Sequence, residues 1–264
     1  MFSIIRNWLD RRIIQRYTIT PSQWDDTYAR LPLLNGLTEV EQQRLRELAI
    51  LFLHRKTLEG AHGLEITQAM ALIIALQACL PILNLGLEDY DGWVSVIVYP
   101  ATFFPKRIVT DENGIVHHVE SNLAGESWQR GPVILAWDET EQAGIIDGQN
   151  LVIHEFAHKL DMQNGEANGY PPLHSGMNPS AWVRAFTAGY ADFQQKCGDG
   201  ESNGINCYGA SSPAEYFAVF SEVFFERPDI LREYYKDIYD QLRLFYRQDP
   251  LARLSHQNIN FLKQ

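Results

Sequence analysis

Residues 151–161 read Leu-Val-Ile-His-Glu-Phe-Ala-His-Lys-Leu-Asp, and no other stretch constrains the chain as tightly. The apolar residues Leu151, Val152, Ile153, Phe156, Ala157 and Leu160 recur at helical spacing, so the segment predicts a helix packed into a core. His154 and His158 are four apart and therefore share one face of that helix. Two imidazoles held this way can direct nitrogens at a single ion, with Glu155 beside them. The carboxylate of Glu155 is placed to take a proton from a metal-activated water rather than to bind the metal. Any fold for this chain must bury this helix and bring further ligands to it.

The rest of the chain supports a globular protein. It has 264 residues with 45% hydrophobic content, enough for one large domain or two small ones. The 22 basic and 33 acidic residues give a net charge of −11, which argues against direct nucleic-acid binding, since that depends on clustered positive charge. Three cysteines cannot form a disulfide framework, so a reducing, cytoplasmic setting is expected with free thiols, Cys197 and Cys207 included. The start of the chain, with Arg6, Arg11, Arg12 and Arg16 among short apolar runs, reads as an amphipathic helix or a frayed end and not as a secretory signal. Residues 66–87 carry no charge, but Gln68, Gln77 and Asn84 interrupt them and Pro81 ends the helix. They read as a buried core helix rather than a membrane span.

The pattern of elements points to α+β. Thr38 and Glu41 form a capping box ahead of a helix, and a second helix runs from about 65 to 80. Short β-branched or aromatic runs at 93–99, 116–119 and 132–137 read as strands, and helices return near 148–163, 179–196, 213–226 and beyond Pro228. Pro132–Trp137 is the candidate edge strand for pairing with an extended peptide.

A catalytic zinc site normally has three protein ligands plus an open position. A metzincin would have glycine at 161 and histidine at 164, where this chain has Asp161 and Asn164, so the third ligand comes from elsewhere. The aromatic-rich stretch 212–226 is the best source. Glu215, Glu222 and Glu226 lie close to one face of it, and buried carboxylates are costly unless paired or metal-bound. Ser212 and Glu215 also fit a capping box, with Pro213 at the first helical position. On these grounds Glu215 and Glu222 are nearly tied as the third ligand.

The motif H-E-F-A-H-K-L-D at 154–161, together with Tyr208 and S-P-A-E-Y-F-A-V-F-S-E-V-F-F at 212–225, resembles the Mlc titration factor A family of zinc peptidases. It is also similar to the catalytic domain of anthrax lethal factor. Leu31-Pro-Leu-Leu, L-G-L-E-D-Y-D-G at 85–92, G-P-V-I-L at 131–135 and F-Y-R-Q-D-P-L at 245–251 extend the resemblance over most of the chain. It implies a zincin-like metallopeptidase core, a small mixed sheet with an active-site helix, carrying extra N- and C-terminal helices. It implies a helical region at 1–90 packed on a catalytic domain at 91–264, and one zinc ion held by His154, His158 and Glu215. Tyr208, seven residues before Glu215, is the active-site tyrosine in this family pattern. Its hydroxyl is a candidate donor to the oxyanion. Glu222 then becomes a carboxylate that orients a ligating imidazole; Asp161 either does the same or caps and faces solvent.

The expected function is peptide-bond hydrolysis, with aminopeptidase character implied by the resemblance. The resemblance also implies association with the glucose repressor Mlc or a similar regulator. The alternative is therefore a binding protein that sequesters a repressor, with catalysis secondary. A metal hydrolase acting on a non-peptide amide is a third reading. His117 and His118 are neighbours on a strand and face opposite sides, while His54, His62, His174 and His256 read as surface residues. The run Asp199–Gly204 starts like a calcium loop but has Ala210 where a bidentate glutamate is needed, so it reads as a flexible loop.

Overall fold

The computed structural model describes residues 2–101, 106–110, 116–120, 125–127, 131–142 and 145–255. His256 lies outside the described residues. The helices are α1 (Phe2–Arg16), α2 (Pro21–Ala29), α3 (Glu39–Arg55), α4 (Gln68–Cys79), α5 (Trp137–Glu141), α6 (Leu151–Asp161), α7 (Pro179–Asp199), α8 (Pro213–Glu226), α9 (Pro228–Tyr234), α10 (Lys236–Tyr246) and α11 (Pro250–Ser255). The strands are β1 (Thr57–Gly60), β2 (Ser95–Tyr99), β3 (Lys106–Thr110), β4 (Val116–Glu120), β5 (Gly125–Ser127) and β6 (Val133–Ala136). The result is a mostly helical mixed fold around a small sheet.

The helix starts follow from local chemistry. The Thr38 hydroxyl accepts from Glu41 N while the Glu41 carboxylate accepts from Thr38 N at 2.8 Å, the reciprocal pair expected from the sequence. Thr67 caps α4 and Asn150 caps α6, each through a side-chain oxygen on the third residue of its helix. The charge-free helix is shorter than the apolar run around it, and its core is Leu72 to Cys79. Among the described residues no helix is long and apolar enough to cross a membrane.

The main sheet has the order β1-β2-β6-β5. β1, β2 and β6 are parallel neighbours, and β5 runs antiparallel to β6, with Glu126 opposite Ile134. β1 is reached from α3, and the chain crosses through α4 before entering β2, as a parallel pair requires. Pro132–Trp137 was expected to be an edge strand. Its strand portion, β6, is paired on both sides and lies inside the sheet, while Trp137 starts α5; the edge beside it is β5. β3 and β4 form a separate antiparallel hairpin, with His117 opposite Val109 and His118 opposite Ile108.

Two aromatic clusters fix α6 and α8. Phe156 projects from α6 among Phe52 of α3, Tyr90 and Trp93, with ring centroids 5.1–5.6 Å away. On the other side, Phe220 and Phe224 of α8 pack with Phe193 of α7, Tyr239 and Tyr246 of α10, and Tyr235. Each such pair adds about 0.5–1.5 kcal/mol beyond simple burial. α6 is thus held between the sheet and α8.

Cys197, near the end of α7, and Cys207 are joined in a disulfide, not left as free thiols. Their Cα atoms are 5.7 Å apart, a separation that chain distance alone did not reveal. Cys79 is free and buried. His174 differs from the surface residue expected: it is half-buried, stacks on Phe245 and bonds Phe245 O at 2.8 Å.

Candidate metal centre

The sequence face carrying His154, Glu155 and His158 is buried in the folded chain. α6 packs along α8, so the first turn of α8 meets the two histidines. His154 Nε2 lies 3.0 Å and His158 Nε2 lies 3.3 Å from the same oxygen, Oε2 of Glu215. One donor atom from each of these three residues falls within 4.8 Å of the others. Donors around a tetrahedral zinc ion with bonds of about 2.0–2.1 Å sit about 3.3 Å apart. Two imidazoles and a carboxylate are the donors such an ion takes, and the two histidine–glutamate spacings lie near that value.

Glu215 reaches the histidines because of how its helix starts. Ser212 Oγ accepts from Glu215 N at 3.2 Å, and Pro213 occupies the first helical position. The Glu215 carboxylate points across to α6. Burial works against its charge, but the two imidazoles outweigh that and hold its carboxyl well below the usual range. Glu222, two turns on, meets the other side of His154, with Oε1 2.7 Å from Nδ1. Burial alone would lower the His154 pKa, yet Glu222 and Glu215 raise it well above its ordinary value in the metal-free chain. The near tie between the two glutamates therefore resolves in space into different contacts on one imidazole.

Tyr208 sits on a short 3₁₀ turn, Cys207–Ala210, packed on α8. Its ring centroid is 6.1 Å from that of His154, and the residue is 48% exposed, so the phenol borders the open side of the cluster. Asn206 caps the turn through Tyr208 N at 3.0 Å. Gly209 lies against Val219 and Phe193, where an added Cβ would come within 3.2–3.3 Å of both. The turn cannot slide freely along α8.

Asp161 is shut off from solvent and lies close enough to the His158 imidazole for the two to interact electrostatically. It is fully buried, and its Oδ2 accepts from Asn168 N and Gly169 N, both at 2.7 Å. Through Oδ2 it also fastens the loop after α6. Lys159, on the same helix, donates to Gly131 O at 3.0 Å and lies 5.2 Å from the Trp93 ring; burial pushes its pKa down to about 8. Asn150 escaped the sequence reading. The only sign of it was an asparagine directly before an apolar helix, which signals a cap and nothing more.

The model of the family described as glucose-regulated metallo-peptidase M90 matches residues 5–247. Mlc titration factor A of Escherichia coli strain 55989 is 39% identical over 242 residues, which cover 90% of this chain and 91% of that protein. Mlc titration factor A of Shigella sonnei strain Ss046 is 38% identical with the same coverage. Nearly the whole length aligns, including all of α6 and α8, and the family's name implies a metal that the clustered histidines and glutamate fit. The chain belongs to the glucose-regulated metallopeptidases of family M90, the family of Mlc titration factor A.

Proposed function

We propose that the protein is a zinc-dependent peptidase with aminopeptidase character, in which His154, His158 and Glu215 hold one zinc ion. The observation that carries this reading is the meeting of two Nε2 atoms with one carboxylate oxygen at 3.0 and 3.3 Å. When bound, zinc supplies the Lewis acidity that polarises a scissile carbonyl and acidifies a water. Glu155, next to His154 on the buried face, accepts the proton of the attacking water and passes it to the leaving amine. Tyr208 donates its hydroxyl to the oxygen that gains charge. The lining of the cleft follows a zincin-like plan: β5 is the antiparallel edge beside α6, and an extended peptide adds to it as a further strand. In this reading residues 91–264 form the catalytic domain, with 1–90 as a helical region packed on it.

The test is zinc stoichiometry combined with hydrolysis of chromogenic amino-acid anilides and short peptides. Wild type binds one zinc ion per chain and hydrolyses them. Glu155→Gln retains the metal and loses activity by about 10²–10⁴-fold, the usual share of a general base. Intact activity in that variant would sink the mechanism.

A second reading rests on the relatives, whose name describes titration of Mlc. Here the chain would bind a repressor of that kind and relieve repression without touching DNA, in keeping with its charge of −11. A pull-down with the repressor, repeated with His158→Ala, separates the two readings. Binding that survives loss of zinc makes sequestration independent of catalysis.

A further inference from the structure

Behind His154, on the side away from Glu215, a line of buried hydrogen bonds runs from the candidate site into the N-terminal helices. Glu222 uses one oxygen on His154 Nδ1 at 2.7 Å and the other on the backbone N–H of Asn150 at 2.5 Å. The Asn150 side chain is fully engaged. Its oxygen accepts from Ile153 N at 2.9 Å, and its amide donates to Gln77 Oε1 at 2.8 Å and to Glu226 Oε1 at 3.0 Å. Glu226 Oε2 in turn accepts from Gly148 N at 3.1 Å. Asn150, Gln77 and Glu226 are all buried.

Such an amide has one orientation. Exchanging its oxygen and nitrogen would set donor against donor at Ile153 and acceptor against acceptor at Gln77 and Glu226. A helix cap needs only the oxygen, and serine or aspartate would serve equally well. The two additional contacts therefore do something other than start α6. They pin Asn150 to α4 on one side and α8 on the other, and so fix the N–H on which Glu222 hangs. Glu222 and Glu226 would repel each other in this dry space if both were ionised. Asn150 lies between them and gives each carboxylate an N–H, which offsets part of the penalty.

We propose that Asn150 and Glu226 are positioning residues for His154: they lock the Glu222 carboxylate so that it holds the Nδ1–H of His154 and leaves Nε2 aimed at the metal position. The proposal rests on the reading of His154 as a zinc ligand. It extends the outer support of that ligand beyond Glu222 to Asn150 at the start of α6 and Glu226 on α8. Partners of this type typically contribute about 10–100-fold to metal affinity.

The experiment uses the full chain in two variants. Asn150→Ser keeps a capping oxygen and removes both amide donors; Glu226→Gln keeps the volume and replaces one of the two oxygens that accept from Asn150 Nδ2 and Gly148 N with an amide nitrogen. Zinc affinity is read by chelator competition. Protection of the His154 Nδ1–H proton from solvent exchange is read in the metal-free protein with ¹⁵N-labelled histidine. Asn150→Ser is expected to lose zinc affinity by about 10–100-fold and Glu226→Gln by roughly tenfold, with the His154 proton exchanging faster in both. A folded Asn150→Ser protein that matches wild type in zinc affinity and in proton protection overturns the proposal. If that variant does not fold, Glu226→Gln decides by the same two measurements. The metal-free proton reading also separates the two claims. A wild type that binds no zinc refutes the peptidase reading, while loss of proton protection in the variants still tests the positioning of His154.

Discussion

Replacing Gly169 with alanine should damage the candidate metal centre from a distance. Gly169 has φ +76, donates its N–H to Asp161 Oδ2 at 2.7 Å and accepts from Trp182 Nε1 at 3.4 Å. A Cβ at this position would lie 2.4 Å from Pro213 O and 2.9 Å from Pro213 C. Both are backbone atoms at the start of α8, two residues before Glu215. Ordinary contact begins near 3.4 Å, so the start of α8 must retreat by about 1 Å. The left-handed backbone costs an alanine about 1–2 kcal/mol, and forcing the helix aside costs about 1–3 kcal/mol more. The expected loss of about 2–5 kcal/mol lowers Tm by roughly 4–20 °C for a chain of this size. Metal–ligand distances tolerate only about 0.2 Å. A shift near 1 Å should therefore weaken zinc binding and cut peptide hydrolysis by about 100-fold. Thermal unfolding, chelator competition and anilide hydrolysis measure these effects. Gly63→Ala is the control: its φ is +82 with nothing within 4 Å of the added Cβ, so it carries the backbone strain alone. If Gly169→Ala is no less stable than Gly63→Ala and binds zinc as wild type does, the argument from the close approach to Pro213 is wrong.

Other outcomes follow from the same geometry. Tyr208→Phe should lower kcat by about 10²–10³-fold with little change in KM, the signature of a donor to a developing oxyanion; a rise in KM at constant kcat would assign the hydroxyl to substrate binding instead. Burial pushes the Glu226 carboxyl from 4.5 up to about 8. Because the folded chain keeps this proton where the unfolded chain releases it, stability is full below pH 4.5 and is lost as pH rises towards 8, by at most about 1.4 kcal/mol per pH unit. Denaturant titrations should show wild type losing ground to Glu226→Gln between pH 5 and 7.5, and parallel pH curves for the two proteins would refute the assignment. The disulfide closes a loop with a sequence separation of 10, so Cys207→Ser should destabilise the chain by up to about 3 kcal/mol. An unchanged denaturation midpoint would show that this tether does not restrain the unfolded chain.

The features legible in the sequence were those set by near neighbours along the chain. The Thr38–Glu41 box and the Ser212 cap on Glu215 need residues only three apart, and both caps form. β1 was missed because Thr57-Leu-Glu-Gly is too short to show alternation, and its pairing with β2 spans residues 57 to 95. β6 was recognised as a strand but misplaced as an edge, because an edge is defined by what pairs beside it and the residues of β5 carry no strand pattern. Asp161 offered two readings and combines parts of both: it is buried within electrostatic reach of His158, and it caps a loop whose N–H groups lie seven and eight residues away.

The sequence by itself determined the helix with His154 and His158 on one face and Glu155 beside them, since the α-helical repeat alone brings residues four apart together. It also determined that carboxylates would be buried on 213–226, because their neighbours are aromatic. Resemblance to a family, not periodicity, singled out Glu215. Only the tertiary structure decided which oxygen meets which nitrogen: Glu215 at the Nε2 side of His154, Glu222 at Nδ1, and Asn150 joining Glu222, Glu226 and Gln77. These contacts join residues some 60 to 80 positions apart. Their geometry comes from the packing of α4, α6 and α8 against one another, and no local pattern encodes it.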